Sequence, residues 1–264
     1  METADLDDLD QARAYIAHVA RGLDPGSRYV SELLAIVETS ADLAELLGRL
    51  ADGSRGARHA GSDVFAAMTA REKLLCNLVT AETALFRFGE GEIEASRAVL
   101  AGRAGEPVRV LIVPCSHGEE AFTVAAFLIQ EGVRPDIAAF DIQPALIEEA
   151  RTGRLTFGYP VEYLDTPGYV SRAVLDQIAF EVGDAFALPL SPERSFDLVM
   201  CRNFLGYFVP ARAAALTRAL AARVAPGGRL FLDSFCLGKT PEIGAALESL
   251  GFHAEGRHPV FSRN

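Results

Sequence analysis

The chain has no apolar run long enough to span a bilayer, which argues against membrane insertion. Cysteine is scarce. The four residues Cys76, Cys115, Cys201 and Cys236 lie far apart and form no C-x-x-C pair. A zinc site or disulfide framework is therefore not expected, and a reduced, cytoplasmic setting fits. The N-terminal "METADLDDLD" is acidic and lacks an apolar signal core, which argues against secretion. Basic residues are in short supply, 25 Lys and Arg against 36 Asp and Glu, for a formal charge of −11. Such a chain is repelled by a phosphate backbone, so nucleic acid is not the expected partner. There is no internal repeat and no low-complexity tract. What remains is a globular chain of 264 residues, half of them hydrophobic. That is enough for one good core, or a core with a small appendage.

The first part has helical texture. "LDDLDQARAYIAHVARGL" carries apolar residues at helical spacing and is stopped by "DPGS". "RYVSELLAIVETS" and "ADLAELLGRL" read as two more helices, the second capped by Ser40. "ADGSRGARHAGSD" is the clearest loop. Helical pattern returns in "DVFAAMTAREKLLCNLV" and "GEGEIEASRAVLAGRAG". From Val108 the rhythm changes. The apolar runs "VRVLIV", "DIAAFDI", "QIAFEVGDA", "FDLVMCRN" and "GGRLFLDSF" alternate with amphipathic helices such as "GEEAFTVAAFLIQEG" and "ARAAALTRALAARV". This alternation predicts a parallel sheet with helices on both faces, an α/β fold. The final "GFHAEGRHPVFSRN" suits a hairpin or a closing antiparallel strand. The expected organisation is a helical N-terminal domain over 1–78 and an α/β domain over 79–264.

Also missing is the glycine pattern of a dinucleotide site. Ligands of an open parallel sheet bind beyond the carboxyl ends of its strands. The first strand ends in "PCSHGEE", with one glycine and two acids where a pyrophosphate site wants G-x-G-x-x-G. Two carboxylates repel pyrophosphate but suit S-adenosylmethionine, which has no phosphate, a cationic sulfonium and a protonated amine. Asp141 ends the second strand, where an acid can accept both ribose hydroxyls. Asp184 follows the third strand, where an acid can accept from an adenine amino group. Taken singly these are ordinary residues: paired glutamates complement a helix dipole, and an aspartate ends many strands. At three successive strand ends they favour a site.

With "CSHGEEAF", "AFDIQPALIEEARTG" and "FDLVMCRNFLGYF" read in order, the chain resembles the CheR-type glutamate methyltransferases of bacterial chemotaxis. That family's pattern is C-S-T-G-E-E, then D-I-D, then C-R-N-x-x-x-Y-F. Upstream, "TAETALFR" looks like its T-N-x-T-x-F-F-R segment. The blocks are collinear from about Val79 to Phe235. The resemblance implies a Rossmann-like class I SAM-dependent methyltransferase sheet with a small all-helical N-terminal domain. It implies S-adenosylmethionine as cofactor and S-adenosylhomocysteine as product. Thr83 and Arg87 would reach the methionine end, Arg87 pairing its carboxylate through a two-pronged contact. Glu120 would face the amino group, Asp141 the ribose and Asp184 the adenine. Cys115, Gly118, Ile142, Ala185 and Asn203 complete the implied cofactor contacts. Tyr207 would sit near the transferred methyl, and Arg87 or Tyr207 would orient the acceptor. From spacing alone Tyr207 reads as a core tyrosine, and Cys115 and Cys201 as small packing residues. No metal and no nucleophilic triad is implied. His117 stands where the family commonly has threonine.

The departures concern the acceptor more than the cofactor. Ala81 replaces an asparagine. The segment "RLTFGYPVEYLDTPGYVSRAVLDQ" is short for the family's antiparallel subdomain. The N-terminal helices are not basic, and "LDSFCLG" replaces G-x-S-E. The expected function is O-methylation of a carboxylate, on a protein glutamate or a small acid. The alternative is a catalytically silent SAM- or SAH-binding regulatory or scaffold protein. A nucleic-acid amine methyltransferase ranks third, because "RNFLGYF" stands where D/N-P-P-Y is needed.

Overall fold

The structure, a computed structural model, describes residues 6–23, 28–52, 69–71, 73–74, 90–101, 106–155, 164–166, 169–255 and 258–263. The chain divides into two compact units, residues 1–81 with 207–209, and residues 82–206 with 210–264. Among the described residues no helix is long and apolar enough to cross a membrane.

The first unit contains α1 (Leu9–Ala20), α2 (Arg28–Thr39) and α3 (Leu43–Asp52). Asp8 caps α1, its Oδ1 accepting the Gln11 N–H at 2.8 Å. Tyr15 and Ile16 of α1, Leu33 and Val37 of α2, and Leu46 and Leu50 of α3 are buried. The cap of α3 differs from expectation. Asp42 Oδ1 accepts the Glu45 N–H at 2.8 Å, and Glu45 Oε2 reaches back to the Ala41 N–H at 2.7 Å. This reciprocal pair satisfies two donors at once. Ser40 instead donates its hydroxyl to the Ile36 carbonyl at the end of α2, at 2.7 Å. Phe208 forms an antiparallel bridge to Leu23, and the Val209 N–H donates to the Gly22 carbonyl at 3.1 Å. Most of the expected helix over 63–79 lies outside the described residues, as does "DPGS".

The second unit opens with α4 (Glu90–Leu100). There follow β1 (Val108–Ile112), α5 (Glu119–Gln130), β2 (Pro135–Asp141), α6 (Pro144–Thr152), β3 (Leu164–Thr166), β4 (Tyr169–Val170), α7 (Arg172–Leu175) and β5 (Ile178–Val182). Then come β6 (Phe196–Met200), a 3-10 helix over Leu205–Tyr207, α8 (Pro210–Ala221), β7 (Val224–Phe231), α9 (Ser234–Lys239), α10 (Pro241–Ser249), β8 (Phe252–Ala254) and β9 (Val260–Arg263). Seven strands form one sheet in the order β5-β2-β1-β6-β7-β9-β8. The pairs from β5 through β7 are parallel, while β9 runs antiparallel to both β7 and β8. The expected closing hairpin is thus β8–β9. Strand order reverses at β1, so the switch point falls between β1 and β6.

Alternation sets the layers. Val108, Val110 and Ile112 of β1 join Ile137 and Ala139 of β2 in a core shared with α4, α5 and α6. Their neighbours Leu111, Ala138 and Phe140 point the other way and are buried as well. Both faces are therefore covered, which explains the near-continuous apolar runs. The short segment after α6 is not featureless: β3 and β4 pair antiparallel, and Arg154 bridges Tyr169. A turn of so few residues closes only a minimal pair.

Candidate functional site

β1 hands over to α5 through the turn Val113–Gly118. The Cys115 N–H donates to the Phe140 carbonyl at 2.8 Å, and the Ser116 N–H donates to Asp141 Oδ2 at 2.9 Å. Ser116 and Gly118 take φ of 51° and 92°, in the left-handed region. A Cβ at Gly118 would lie 2.9 Å from Phe122 Cζ, 3.0 Å from Phe180 Cζ and 3.1 Å from Ala150 Cβ. Glycine is needed there for backbone and packing together. Cys115 is buried; burial pushes its thiol well above the ordinary value, and Asp141, Glu120 and Glu119 push it further. It stays a thiol.

Asp141 ends β2 and is 5% exposed. Its Oδ1 accepts the Gln143 N–H at 3.1 Å, while Oδ2 takes Ser116. The Ile142 N–H also acts on this carboxylate, and of its roughly four lone-pair sites acceptor capacity is left for a ligand donor. Burial raises the carboxyl above the usual carboxylate range, and the N–H groups of Gln143 and Ser116 and the charge of His117 pull it back. Ile142 beside it is 38% exposed, and Val182, paired with Asp141 in register, is 45% exposed. Two apolar side chains therefore face solvent at the ends of neighbouring strands. Beyond β5, the exposed Asp184 accepts the Phe186 N–H through Oδ1 at 2.9 Å, which shapes a turn around the buried Ala185.

The two glutamates that open α5 have different fates. Glu119 is wholly buried. Glu120 Oε1 accepts Arg202 Nη1 at 3.2 Å, and Arg202 Nη2 lies 3.8 Å from Glu92 Oε1 of α4. One cation thus stands between two carboxylates after the end of β6. Next to it Asn203 takes φ of 54°, is exposed, and donates its N–H to Asp233 Oδ2 at 2.8 Å. Asp233 also caps α9: Oδ1 accepts the Cys236 N–H at 2.8 Å, and Oδ2 accepts the Cys236 thiol at 2.7 Å. The Gly206 N–H donates to Cys236 Sγ at 3.1 Å. Burial, then the bond to Asp233, hold the Cys236 thiol up at about 12.

Sequence reasoning named Asp141, the turn, Glu120 and Asn203. The structure joins Asp141 to the turn, Glu120 to the segment after β6, and Asn203 to the start of α9. Tyr207 closes the 3-10 helix and belongs to the first unit. Thr83, Arg87 and Ala81 lie outside the described residues. Arg202, Asp233, Val182 and Glu149 were not foreseen. Arg202 sits inside "CRN" and Asp233 inside "LDSFCLG", but their partners are distant in sequence.

Residues 82–235 match the family model of the CheR methyltransferase SAM-binding domain, more than half of the chain. The chain belongs to the CheR methyltransferase family, and this segment is its S-adenosylmethionine-binding domain. It is 28% identical over 205 residues to the probable biofilm formation methyltransferase WspC of Pseudomonas putida, covering 70% of this chain and 47% of that protein. Over 150 residues it is 28% identical to chemotaxis protein methyltransferase 2 of Vibrio cholerae, covering 49% of this chain and 51% of that one. The chain thus spans about half the length of these two relatives. Among solved structures it is similar to a TehB-like SAM-dependent methyltransferase from Corynebacterium glutamicum, at 16% identity and a TM-score of 0.41, over 65% of this chain and 88% of that one.

The residues present fit the cofactor. Asp141 offers two acceptors to a ribose, and Ile142 and Val182 offer apolar faces to a flat ring. Two buried polar atoms after strand ends, Gln143 Oε1 and Arg202 Nε, have no hydrogen-bond partner among the described residues. A buried polar atom in that state costs free energy until a ligand or water satisfies it.

Proposed function

We propose that the protein transfers the methyl group of S-adenosylmethionine to a carboxylate, on a protein glutamate or a small acid. S-adenosylhomocysteine is released and a methyl ester is formed. The observation that carries this reading is Asp141: a buried carboxylate, fixed by backbone N–H groups, with acceptor capacity left over at the end of β2. The bound cofactor supplies a methyl on a positively charged sulfonium, so an acceptor already ionised near neutrality needs no general base.

The chain's task is then to bind, orient and exclude water. Asp141 accepts the ribose hydroxyls, and Ile142 and Val182 flank the adenine, whose amino group Asp184 accepts. The close turn at Cys115 and Gly118 brings backbone near the ligand, as does Ala185. Glu120 takes the amino group. Arg202, shared with Glu92, leaves that trio one negative charge in excess, which favours a cationic amine. Thr83 and Arg87 reach the methionine end, Arg87 pairing its carboxylate, Asn203 borders the cofactor, and Arg87 or Tyr207 orients the acceptor oxygen. The resemblance of its motifs to the CheR-type glutamate methyltransferases supports a carboxylate as acceptor.

The test is to incubate the protein with methyl-labelled cofactor and a panel of acidic proteins and small acids. Label on the acceptor that leaves as methanol in mild alkali is the expected result, since esters hydrolyse and methylated amines do not. Alkali-stable label would rule out an ester and with it a carboxylate acceptor. Tight cofactor binding without transfer to any acceptor would favour the silent binding protein.

A further inference from the structure

His117 lies in the middle of the β1–α5 turn, and its side chain is almost wholly buried. Its Nδ1 is 2.6 Å from Glu149 Oε2 on α6, with both side chains shielded from solvent. A buried pair this short is a charge-assisted bond when the imidazole carries two protons. The neighbouring residue, Ser116, gives its N–H to Asp141, and α6 starts just after Asp141. Turn, β2 tip and α6 thus close on one another through two bonds, Ser116 to Asp141 and His117 to Glu149. Three carboxylates act on the ring. Glu149 faces it from α6, Glu119 from α5 and Asp141 from β2, while the Cys115 thiol beside it stays neutral.

We propose that His117, in its doubly protonated form, is a positioning residue of the cofactor site: it braces the turn against Glu149 and holds Asp141 ionised and aimed at the ribose. This rests on the cofactor reading above. The coupling runs both ways. Burial pulls the imidazole pKa down, but the bond to Glu149 and the charges of Glu149, Glu119 and Asp141 outweigh it and leave the value above the usual 6.5. In return, His117 is among the groups that lower the Asp141 pKa. With the proton gone, the charge-assisted bond weakens and the imidazole charge no longer offsets Glu149, Glu119 and Asp141. A neutral threonine could not act in this way.

The sign follows. Affinity for the nucleoside is full while His117 is protonated and falls as pH rises through its raised pKa. The experiment is calorimetric titration of S-adenosylhomocysteine into wild type, His117→Thr and Glu149→Gln at several values between about pH 6 and 8.5. Each titration is run in two buffers of different ionisation enthalpy, and thermal melts check folding. Wild type should weaken about tenfold across the range and take up protons on binding. Both variants should bind at about the weak, high-pH level throughout, with proton uptake reduced. The amine of the ligand titrates equally in all three, so the difference isolates the pair. A nitrogen-15 NMR titration without ligand should place His117 above 6.5, using the variant for assignment. Glu149→Gln preserves volume and serves if His117→Thr unfolds. A wild-type pH profile retained in both variants, or a His117 that titrates below 6.5, would overturn the proposal and leave the cofactor reading intact. No binding to folded protein at any pH would overturn both.

Discussion

Two buried aspartates at opposite ends of the same sheet have different employments. Asp197, near the start of β6, is wholly buried and saturated: Arg109 gives it the backbone N–H at 2.9 Å, Nε at 3.3 Å and Nη2 at 3.0 Å. Asp141, at the far end of β2, takes backbone N–H groups only, from Ser116, Gln143 and Ile142, with no arginine fork among the described residues, and keeps acceptor capacity in hand. Asp197 ties β1 to β6, and its bonds are complete within the fold. Asp141 is held at a cost, since burial raises its pKa and its ionisation destabilises the protein as pH rises through that value. A carboxylate left short of partners at a strand's carboxyl end marks a ligand site. One given every partner marks structure.

This contrast can be broken by substitution. The largest effect expected is on binding: Asp141→Ala should weaken S-adenosylhomocysteine about a hundredfold by calorimetry, the loss of two hydrogen bonds to a charged acceptor. The contrast fails if Asp197→Ala does the same. On stability the order reverses. Asp197→Ala should cost about 3 kcal/mol in urea unfolding, because it removes the buried acceptor of three bonds from the half-exposed Arg109, while ligand affinity in the folded protein stays within about twofold. Asp233→Ala is intermediate. It removes the α9 cap and the acceptor of the Asn203 N–H, so about 2 kcal/mol of stability and about tenfold in affinity should go together. The smallest effect is in the first unit. Asp42→Ala should cost about 1 kcal/mol by thermal melt through the lost α3 cap, with affinity unchanged.

Much of this was readable in the chain. The strands β1, β2 and β6 are short apolar runs buried on both faces, and the helices between them carry their own periodicity, so the α/β alternation was plain. That Asp141 and the acidic turn lie together was legible because the topology sets the ends of β1 and β2 side by side. Less visible was what depends on three dimensions. Arg202 finds Glu92 and Glu120 only once α4 and α5 meet the end of β6. Asp42 rather than Ser40 caps α3 because Glu45 reciprocates from three residues on, a local signal that outweighs the plain serine preference. Strand β7 starts at Val224, ahead of the expected glycines, since Gly227 and Gly228 fall in an irregular stretch of its pairing with β6. The helix α9 was hidden by its brevity. The minimal β3–β4 pair was hidden because so few residues carry no period.

The most direct measurement is a crystal structure of the protein with S-adenosylhomocysteine. The expected density puts both ribose hydroxyls within hydrogen-bond reach of Asp141, the ring against Ile142 and Val182, and the Arg109–Asp197 contact unaltered. A nucleoside seated elsewhere, with Asp141 facing only its own backbone donors, would contradict the account.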